Sequence, residues 1–432
     1  MRRALILLTL LACSVILGAA AAQAAPENAV SAAARARIVI GLQRTDQAGE
    51  VARSVDARIL RRLVALRLVA ATVDEDRRNE VLARLRSDPR VRYAELDRRV
   101  RVVPPLIGRR LQLPLARSSR TPNDEGFSVQ YGLRDSGDSD IEATNAWDSQ
   151  TACPKVGVLD SGIQTGHPDL KSNMWTNDGE SNNGIDDDGN GFVDDHYGID
   201  LIQGKNSGKD PHGHGTHVAG IIAAKGNNTR GVAGVCWKAK LMNLRFMDSH
   251  GGGYTTDAAT AIVYAVRHGV HVINASYGSY KPSDGEKDAI AYAQRHDTLI
   301  VAAAGNDSED SDQTPSYPAD YDFDNIISVA ASTSSDRLAS FSNFGNRSVD
   351  LAAPGVEIGS TWKGSDYRYM SGTSMATPFV TATAAMLRKA GDGISYTRIR
   401  NLILNNVDRK GAFSSTTVTG GRLNAARALA DI

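Results

Sequence analysis

Short apolar runs alternate with longer segments of helical periodicity over most of this chain, from residue 155 to the C-terminal end. A strand covered on both faces is apolar at successive positions, whereas a helix repeats its apolar residues every three or four positions. By this criterion the pattern predicts strands at 156–159, 241–246, 270–273, 298–302, 326–331 and 349–352. It predicts helices at 214–224, 256–268, 284–295, 374–390 and 395–405. The alternation predicts an α/β fold, a mostly parallel sheet with helices on both faces.

The first quarter of the chain has a different pattern, with shorter and more polar elements. It predicts strands at 37–42, 68–73 and 91–97, a helical stretch within 48–64, and a helix at 74–85 that has Asp74 as its N-cap. This order predicts a small α+β, ferredoxin-like domain. Residues 102–123 are rich in proline, arginine and serine and have no periodicity, which predicts an exposed linker.

The N-terminal 25 residues have the organisation of a secretory signal peptide. Two arginines follow Met1, residues 4–18 are almost wholly apolar, and the segment ends in small residues. The apolar core is too short to favour a membrane-spanning helix. Cys13 follows Leu-Leu-Ala as in a lipoprotein signal, but it lies in the middle of the apolar core. We therefore expect a secreted protein that is cleaved near Ala24 or Ala25 and has no membrane anchor.

Composition adds a charge asymmetry that the net charge of zero conceals. Residues 1–120 contain 23 arginines, no lysine and 11 acidic residues, a net charge of +12, so the remainder carries −12. A basic arm can indicate nucleic-acid binding. Here the basic part is predicted to fold and lacks aromatic clusters, and the acidic remainder is its electrostatic partner. We therefore expect no nucleic-acid partner.

Three short motifs in the second part of the chain carry the chemistry of a nucleophilic hydrolase. They are Val-Leu-Asp-Ser-Gly around Asp160, His-Gly-Thr-His-Val-Ala-Gly from His214, and Gly-Thr-Ser-Met-Ala-Thr-Pro around Ser374. A serine hydroxyl is a weak nucleophile, so it needs a base such as histidine, and a carboxylate orients that base. Ser374 is predicted at the start of a helix, where free N–H groups favour the negative charge of an intermediate.

The order Asp, His, Ser is that of subtilisin, and with their flanking residues the motifs resemble the subtilisin-like serine proteases, or subtilases. A fourth segment, Ala-Ala-Ala-Gly-Asn ending at Asn306, resembles the segment that carries the family's oxyanion asparagine. The resemblance implies a serine endopeptidase that works through an acyl-enzyme. It also implies a self-processing precursor with a signal peptide at 1–25, an inhibitory pro-domain and linker at 26–120, and a catalytic domain at 121–432.

The resemblance further implies that a polypeptide substrate binds as an added β-strand. One wall of the cleft is expected at Ser276, Tyr277 and Gly278, the opposite wall at Ala303, Ala304 and Gly305, and the floor of the first specificity pocket at Ser316. Many relatives have glycine in place of this serine, so the depth of the pocket stays open. Four acidic residues between 307 and 312 either favour basic substrates or form a solvated surface.

Two groups of oxygen-bearing side chains are candidates for structural Ca2+. The first group is Asp186, Asp188, Asn190 and Asp194, spaced as at the start of an EF-hand loop. The glutamate that this pattern requires at position twelve is replaced by Tyr197. The second group, Asp169 and Asn228, matches a calcium site of many subtilases. Turn chemistry is the alternative explanation for both groups, since Asp, Asn and Gly are ordinary turn residues.

Three further features have competing interpretations. Cys153 and Cys236 each precede a predicted strand, and if these strands are neighbours, as in the subtilase sheet, the cysteines form a disulfide or remain two buried thiols. His212, His214 and His217 suggest zinc, but the spacing lacks His-x-x-x-His and no cysteine is nearby. A binding protein without activity is the alternative to an enzyme, and the complete set of catalytic residue types argues against it. Nothing in the sequence indicates an oligomer, so we expect a monomer.

Overall fold

A four-stranded antiparallel sheet with two helices forms the first unit of the computed structural model, which describes residues 34–103, 105–111, 121–205 and 208–432. Its elements are β1 (Arg35–Leu42), α1 (Ala48–Ser54), β2 (Arg58–Leu63), β3 (Leu68–Asp74), α2 (Arg78–Arg86) and β4 (Val91–Leu96). The strands are ordered β2-β3-β1-β4. Their apolar faces and both helices enclose one core, which includes Ile38, Ile40 and Leu85. The predicted signal peptide lies outside the described residues.

Two details of this unit differ from the sequence-based expectation. Helix α1 ends at Ser54, and residues 58–63 of the expected helical stretch form the edge strand β2, because their exposed and covered positions alternate against β3. Asp74 is not the N-cap of the second helix. It ends β3, its side chain caps no backbone N–H, and a 3-10 turn at Glu75–Arg77 precedes α2.

The expected linker is also more ordered than its composition predicts. One strand, β6 (Leu106–Arg110), lies within it, and another, β5 (Arg99–Val102), ends at its first residue; both pair with strands from the second part of the chain. A segment without its own periodicity is ordered here because its backbone groups find partners on another surface. Residues 112–120 of the expected linker lie outside the described residues.

The second part of the chain has thirteen strands and seven α-helices in its described residues. The strands are β7 (Ala152–Asp160), β8 (Gly198–Asp200), β9 (Lys238–Arg245), β10 (Gly252–Tyr254), β11 (Val272–Ala275), β12 (Tyr277–Gly278), β13 (Leu299–Ala303), β14 (Ile326–Ser332), β15 (Leu351–Pro354), β16 (Ile358–Trp362), β17 (Asp366–Ser371), β18 (Asp408–Arg409) and β19 (Gly421–Arg422). The helices are α3 (Ala143–Ala146), α4 (His214–Ala223), α5 (Thr255–Arg267), α6 (Asp284–Arg295), α7 (Thr373–Ala390), α8 (Tyr396–Asn405) and α9 (Ala425–Ala430).

Nine of these strands form one sheet in the order β18-β19-β15-β14-β13-β11-β7-β9-β8, and all neighbours except β18 and β19 are parallel. Side chains of β7 point alternately to the two faces of the sheet. Val156 and Val158 join the core under α4 and α7, whereas Leu159 joins the core under α5 and α6. The expected parallel sheet covered on both faces is confirmed.

A disulfide joins the start of β7 to the segment that follows α4. Its cysteines, Cys153 and Cys236, have Cα atoms 5.8 Å apart and are both buried. The alternative of two buried thiols is therefore wrong for this structure. Among the helices of the described residues, none combines the length and the apolar character that a membrane span requires.

Candidate active site

The carboxylate of Asp160 and the ring of His214 meet at the carboxyl end of strand β7. Asp160 is the last residue of β7, and His214 is the first residue of α4. His214 Nδ1 lies 2.8 Å and 2.9 Å from the two carboxylate oxygens of Asp160, and both side chains are fully buried. A β-carbon on Gly215 would lie 2.1 Å from the carbonyl oxygen of Gly162, so only glycine lets the helix approach this closely.

Ser374 occupies the second position of α7, two residues after the glycine that precedes the helix. Its hydroxyl lies 3.4 Å from the carbonyl oxygen of Val103 and 3.3 Å from that of Ser276. His214 Nε2 is buried and has no hydrogen-bond partner within the described part of the chain. Asp160 and His214 thus share one buried contact, and Ser374 is buried at the start of α7 with its hydroxyl directed at two carbonyl groups.

The side chain of Asn306 is held at the start of the same helix. Its amide oxygen accepts hydrogen bonds of 2.9 Å from the backbone N–H and from the hydroxyl of Thr373. Because a backbone N–H donates to this end of the amide, it must be the oxygen, and the other end is the nitrogen. The amide nitrogen is directed at Gly372, where an added β-carbon would lie 2.9 Å from it and 3.5 Å from the Cα atom of Pro105. Asn306 Nδ2 and the chain that follows Val103 therefore meet at the N-terminus of α7.

Strand β5 runs through the cleft as a polypeptide strand would. It pairs antiparallel with β12 on one side, Tyr277 opposite Val102, and with β10 on the other, Gly253 opposite Val100. Tyr277 and Gly278, which were expected to form one wall, thus pair with β5. The strand that pairs on the opposite side is Gly252–Tyr254, which the sequence analysis missed because a short glycine-rich segment gives no strand signal.

Ala303, Ala304 and Gly305 are not a pairing wall for this strand. They lie at the end of β13, and the carbonyl oxygen of Ala304 accepts a hydrogen bond from Asn343 Nδ2 at 3.1 Å. Ser316 lies beside Gly278, since a β-carbon on this glycine would be 3.2 Å from Ser316 Oγ and 3.6 Å from Val103 Cγ2. Val103 and Ser316 thus both approach the same glycine.

Three sets of contacts hold the first unit against the second. Arg37 bonds Asp97 within its own unit and reaches Asp257 at 3.1 Å. Arg92 and the hydroxyl of Tyr93 both bond Asp288, at 2.8 Å and 2.7 Å. Glu95 accepts hydrogen bonds at the N-terminus of α6 from Ser283 Oγ and the N–H of Gly285. Burial raises the pKa of Glu95 above its ordinary value, although these hydrogen bonds oppose the shift.

The predicted calcium residues Asp169 and Asn228 lie together, and a third residue, Asp124, joins them. Asn228 Nδ2 donates to Asp169 at 2.9 Å, while the backbone N–H groups of residues 227 and 228 donate to Asp124. Burial raises the pKa of both carboxyls, that of Asp124 to about 6, and the charge of Asp169 adds to this rise. Burial disfavours the charged form of both carboxyls, and a divalent cation bound by them offsets this cost. No sequence motif marked Asp124.

The loop at 180–195 brings together only part of its predicted ligand set. Oxygen atoms of Glu180, Asp186 and Asp188 lie within 4.8 Å of one another. Glu180 Oε2 is buried and has no hydrogen-bond partner in the regions that the structure describes, so this cluster fits a hard cation. Asn190 instead directs its amide nitrogen at Asp188 and Asp195, and Asp194 accepts from N–H groups of residues 183 and 184. Sequence reasoning missed Glu180 because it precedes the pattern.

The three histidines of the cluster make different contacts. His217 Nε2 bonds the carbonyl oxygen of Arg368 at 3.0 Å, and complete burial lowers the pKa of His217 to about 3. The rings of His212 and His214 are 6.1 Å apart and meet edge to face. Burial also lowers the pKa of His212, and the charge of His214 adds to this. Of the three histidine rings, only that of His214 bonds a carboxylate in the described structure.

Comparison with known proteins finds matches to both parts of the chain. A model of the subtilase family matches residues 152–423, and a model of the fervidolysin N-terminal prodomain matches residues 19–97. Thermitase of Thermoactinomyces vulgaris is 37% identical over 311 residues, which cover 72% of this chain and 99% of thermitase. Subtilisin Savinase of Lederbergia lenta is 38% identical over 272 residues, 63% of this chain and 88% of that protein.

A solved structure resembles the chain over both units. Fervidolysin of Fervidobacterium pennivorans superposes with a TM-score of 0.72 over 92% of this chain at 24% identity, which is a likeness of fold. The chain spans 61% of the length of that structure. The sheet and the matched family model define the class as a serine protease with the subtilisin-like α/β fold. The chain belongs to the subtilase family: it is a subtilisin-like serine endopeptidase with an N-terminal prodomain.

Proposed function

We propose that Asp160, His214, Ser374 and Asn306 are the catalytic residues of this endopeptidase. Ser374 attacks the carbonyl carbon of the scissile bond, and His214 Nε2 takes the hydroxyl proton and later gives it to the leaving amine. Asp160 holds the ring so that Nδ1 carries its proton toward the carboxylate. The paired contacts at 2.8 Å and 2.9 Å between Asp160 and His214 support this assignment.

The oxyanion of the tetrahedral intermediate requires N–H donors that are fixed before the reaction begins. The backbone N–H of Ser374, at the N-terminus of α7, is one such donor. The amide nitrogen of Asn306 is the second, and it is oriented because Thr373 engages the amide oxygen twice. Ser276, Tyr277, Gly278 and Ser316 hold the residues before the scissile bond, and Ala303, Ala304 and Gly305 form the far side of the first pocket.

The precursor cleaves itself, and the bond presented to Ser374 is Val103–Pro104. Support comes from the position of Val103, whose carbonyl oxygen lies 3.4 Å from Ser374 Oγ at the end of a paired strand. Pro104 itself lies outside the described residues. The domain division is therefore a signal peptide at 1–25, a pro-domain and linker at 26–120, and a catalytic domain at 121–432. The order β1-α1-β2-β3-α2-β4 of the pro-domain is that of ferredoxin-like domains.

The pro-domain inhibits the enzyme until it dissociates. It places β5 where a polypeptide substrate would bind, and the contacts of Arg37, Arg92, Tyr93 and Glu95 with α5 and α6 hold it there. The opposite net charges of the two parts favour their association. The protein is exported through its signal peptide and acts as a secreted monomer on polypeptides, without a nucleic-acid or membrane partner.

Calcium ions stabilise the catalytic domain. The site at Glu180, Asp186 and Asp188 is supported by the orphaned buried oxygen of Glu180. The site at Asp124, Asp169 and Asn228 is supported by its two buried carboxylates. An ion neutralises the carboxylates and orders loops that bury little apolar surface, and it takes no part in the chemistry.

Intact mass and N-terminal sequencing of the secreted protein test the catalytic assignment. We expect Ser374→Ala to accumulate the uncut precursor, while the wild type loses its pro-domain. Ser335→Ala, a change at an exposed serine in the turn after β14, is the matched control and should process normally. Normal processing of Ser374→Ala would show that another protease makes the cut. A Ser374→Ala protein that loses peptidase activity but is still processed would lead to the same conclusion.

A further inference from the structure

On the leaving-group side of the cleft, strand β17 pairs with a strand that belongs to the linker. Strand β6 pairs antiparallel with β17, with Leu106 opposite Ser371 and Arg110 opposite Arg368. Strand β5 ends at Val102, the following residue Val103 lies beside Ser374, and β6 begins at Leu106. The precursor chain therefore occupies the cleft on both sides of a single bond.

The sequence of this segment fits the surface under it. A register shift between Arg368 and Met370 interrupts the ladder opposite Gly108, and a β-carbon on this glycine would lie 3.0 Å from the carbonyl oxygen of Tyr369. Arg110 Nε lies 2.6 Å from the carboxylate of Asp366. This short segment is therefore held against β17 by backbone pairing and an ion pair, and its glycine permits the close approach.

Leu111 anchors the end of the segment. Its N–H donates to the carbonyl oxygen of Tyr367 at 3.0 Å, and its side chain is 4% exposed. It packs with Ala224, Val232 and Tyr367, and Gly359 leaves it room, since a β-carbon there would lie 3.4 Å from Leu111 Cδ2. We call these four residues the anchor pocket. Leu106 and Ile107 of the same segment are 66% and 54% exposed, so Leu111 supplies its apolar attachment.

We propose that residues 106–111 are a blocking strand that keeps the leaving-group side of the cleft occupied after the precursor has been cut. This inference rests on the proposed function. Ser374 acylates at the Val103 carbonyl, the proton passes through His214 to the nitrogen of Pro104, and water then releases Val103 as a carboxylate. The pro-domain ends at Val103, whereas the blocking strand stays covalently attached to the catalytic domain through residues 112–120.

The attachment decides how long the block lasts. A tethered strand rebinds at an effective concentration that a free peptide does not reach, so departure of the pro-domain does not clear this half of the cleft. A second cut, between Leu111 and Thr121, removes the blocking strand. Between the two cuts, the enzyme accepts short substrates that end just beyond the scissile bond, but long polypeptides compete with its own chain.

Two substrates distinguish these states. A peptidyl p-nitroanilide places one group beyond the scissile bond, whereas unfolded casein extends along β17. Processed full-length precursor is followed over time, with intact mass reporting whether each form retains residues 106–111. We expect the retaining form to hydrolyse casein about tenfold more slowly, relative to the anilide, than the form that begins after Leu111. Leu111→Asp should abolish this difference, because an aspartate is disfavoured in the anchor pocket.

Two further variants keep the result interpretable. Ile107→Asp changes an exposed side chain of the same strand and should behave as the wild type, while Gly108→Val should weaken the block through its clash with Tyr369. Equal casein-to-anilide ratios for both processed forms overturn the blocking strand, as does a wild type in which no processed form retains residues 106–111. Absence of anilide hydrolysis in every form would instead refute the proposed function.

Discussion

The hydroxyl of Ser276 donates a hydrogen bond of 3.1 Å to the backbone carbonyl oxygen of Ser374. In a regular helix this carbonyl would accept from the N–H four residues later, but that residue is Pro378, which has none. The proline of the motif Ser-Met-Ala-Thr-Pro therefore leaves the first turn of α7 without one backbone hydrogen bond at the nucleophile. The hydroxyl of Ser276, from the neighbouring strand segment, supplies the missing donor. Asn274 Nδ2 in turn donates to the Ser276 hydroxyl at 2.9 Å.

This relationship predicts an energetic coupling between Ser276 and Pro378. Ser276→Ala leaves the buried carbonyl of Ser374 without its donor and should lower the free energy of unfolding by about 1–3 kcal/mol. Pro378→Ala restores a backbone N–H at the required position, so the double variant should lose less than the sum of the two single changes. Denaturant unfolding of the four proteins measures the coupling, and strict additivity would show that the two residues act independently.

Substitution of the catalytic groups should give graded losses of kcat. Asp160→Asn leaves the geometry but favours the wrong tautomer of His214, and we expect a loss of about 10⁴-fold. Asn306→Ala removes one oxyanion donor, for which the typical loss in this class of enzyme is about 10²- to 10³-fold. Anilide hydrolysis by protein purified after processing provides the measurement. An Asn306→Ala enzyme with unchanged kcat would remove Asn306 from the oxyanion site.

Inhibition by the pro-domain should weaken as pH rises. Glu95 has a raised pKa at the N-terminus of α6, where burial and the charge of Asp284 raise it and Arg98 opposes them. The bound state therefore holds a proton that the free pro-domain loses, so binding is strongest at low pH. It weakens between the ordinary carboxyl pKa, about 4.3, and the raised value.

The inhibition constant of added pro-domain, measured between about pH 4 and pH 8, tests this sign. Glu95→Gln keeps an acceptor for Ser283 and Gly285 but does not titrate, so its pH dependence should be flatter. Glu80→Gln, an exposed change on α2, serves as the control. An inhibition constant that falls as pH rises would contradict the prediction.

Chelation of calcium should lower the melting temperature of the mature enzyme and speed its self-digestion. An ion that binds only the folded state stabilises it by about 2.7 kcal/mol at a hundredfold excess over Kd. Glu180→Gln should reduce the difference between calcium and chelator, because it removes a charged ligand from the cluster with Asp186 and Asp188. Asp178→Asn removes a neighbouring exposed carboxylate and should leave this difference intact. Identical melting curves with calcium and with chelator would exclude an ion at either site.

Removal of the disulfide should destabilise the fold without changing the catalytic groups. Cys153 and Cys236 are 83 residues apart, and the loop that they close contains both Asp160 and His214. We expect Cys153→Ser/Cys236→Ser to lower the free energy of unfolding by about 2–4 kcal/mol, because the unfolded chain regains the freedom of a long loop. Calorimetry gives the stability, and kcat at low temperature should stay near that of the wild type.

Several elements were predictable because their physical cause is local in the chain. Apolar runs such as 156–159 form buried strands wherever a sheet covers them, and the residues that end or begin these elements carry the motifs of Asp160 and His214. The strands that line the cleft were harder to predict from the sequence. Gly252–Tyr254 contains two glycines and no apolar alternation, so its pairing with β5 depends entirely on the partner strand.

The amino-acid sequence by itself determined the α/β sheet, the order of the catalytic motifs and the family resemblance, since periodicity and short motifs are written in neighbouring residues. Only the tertiary structure decided which residues from distant segments share a site. Glu180 and Asp124 join the predicted calcium ligands, Ser276 replaces the N–H missing at Pro378, and the linker forms β6 against β17. Each of these residues lies outside the motifs that the sequence displays, and contacts made across the fold leave no trace in the local pattern.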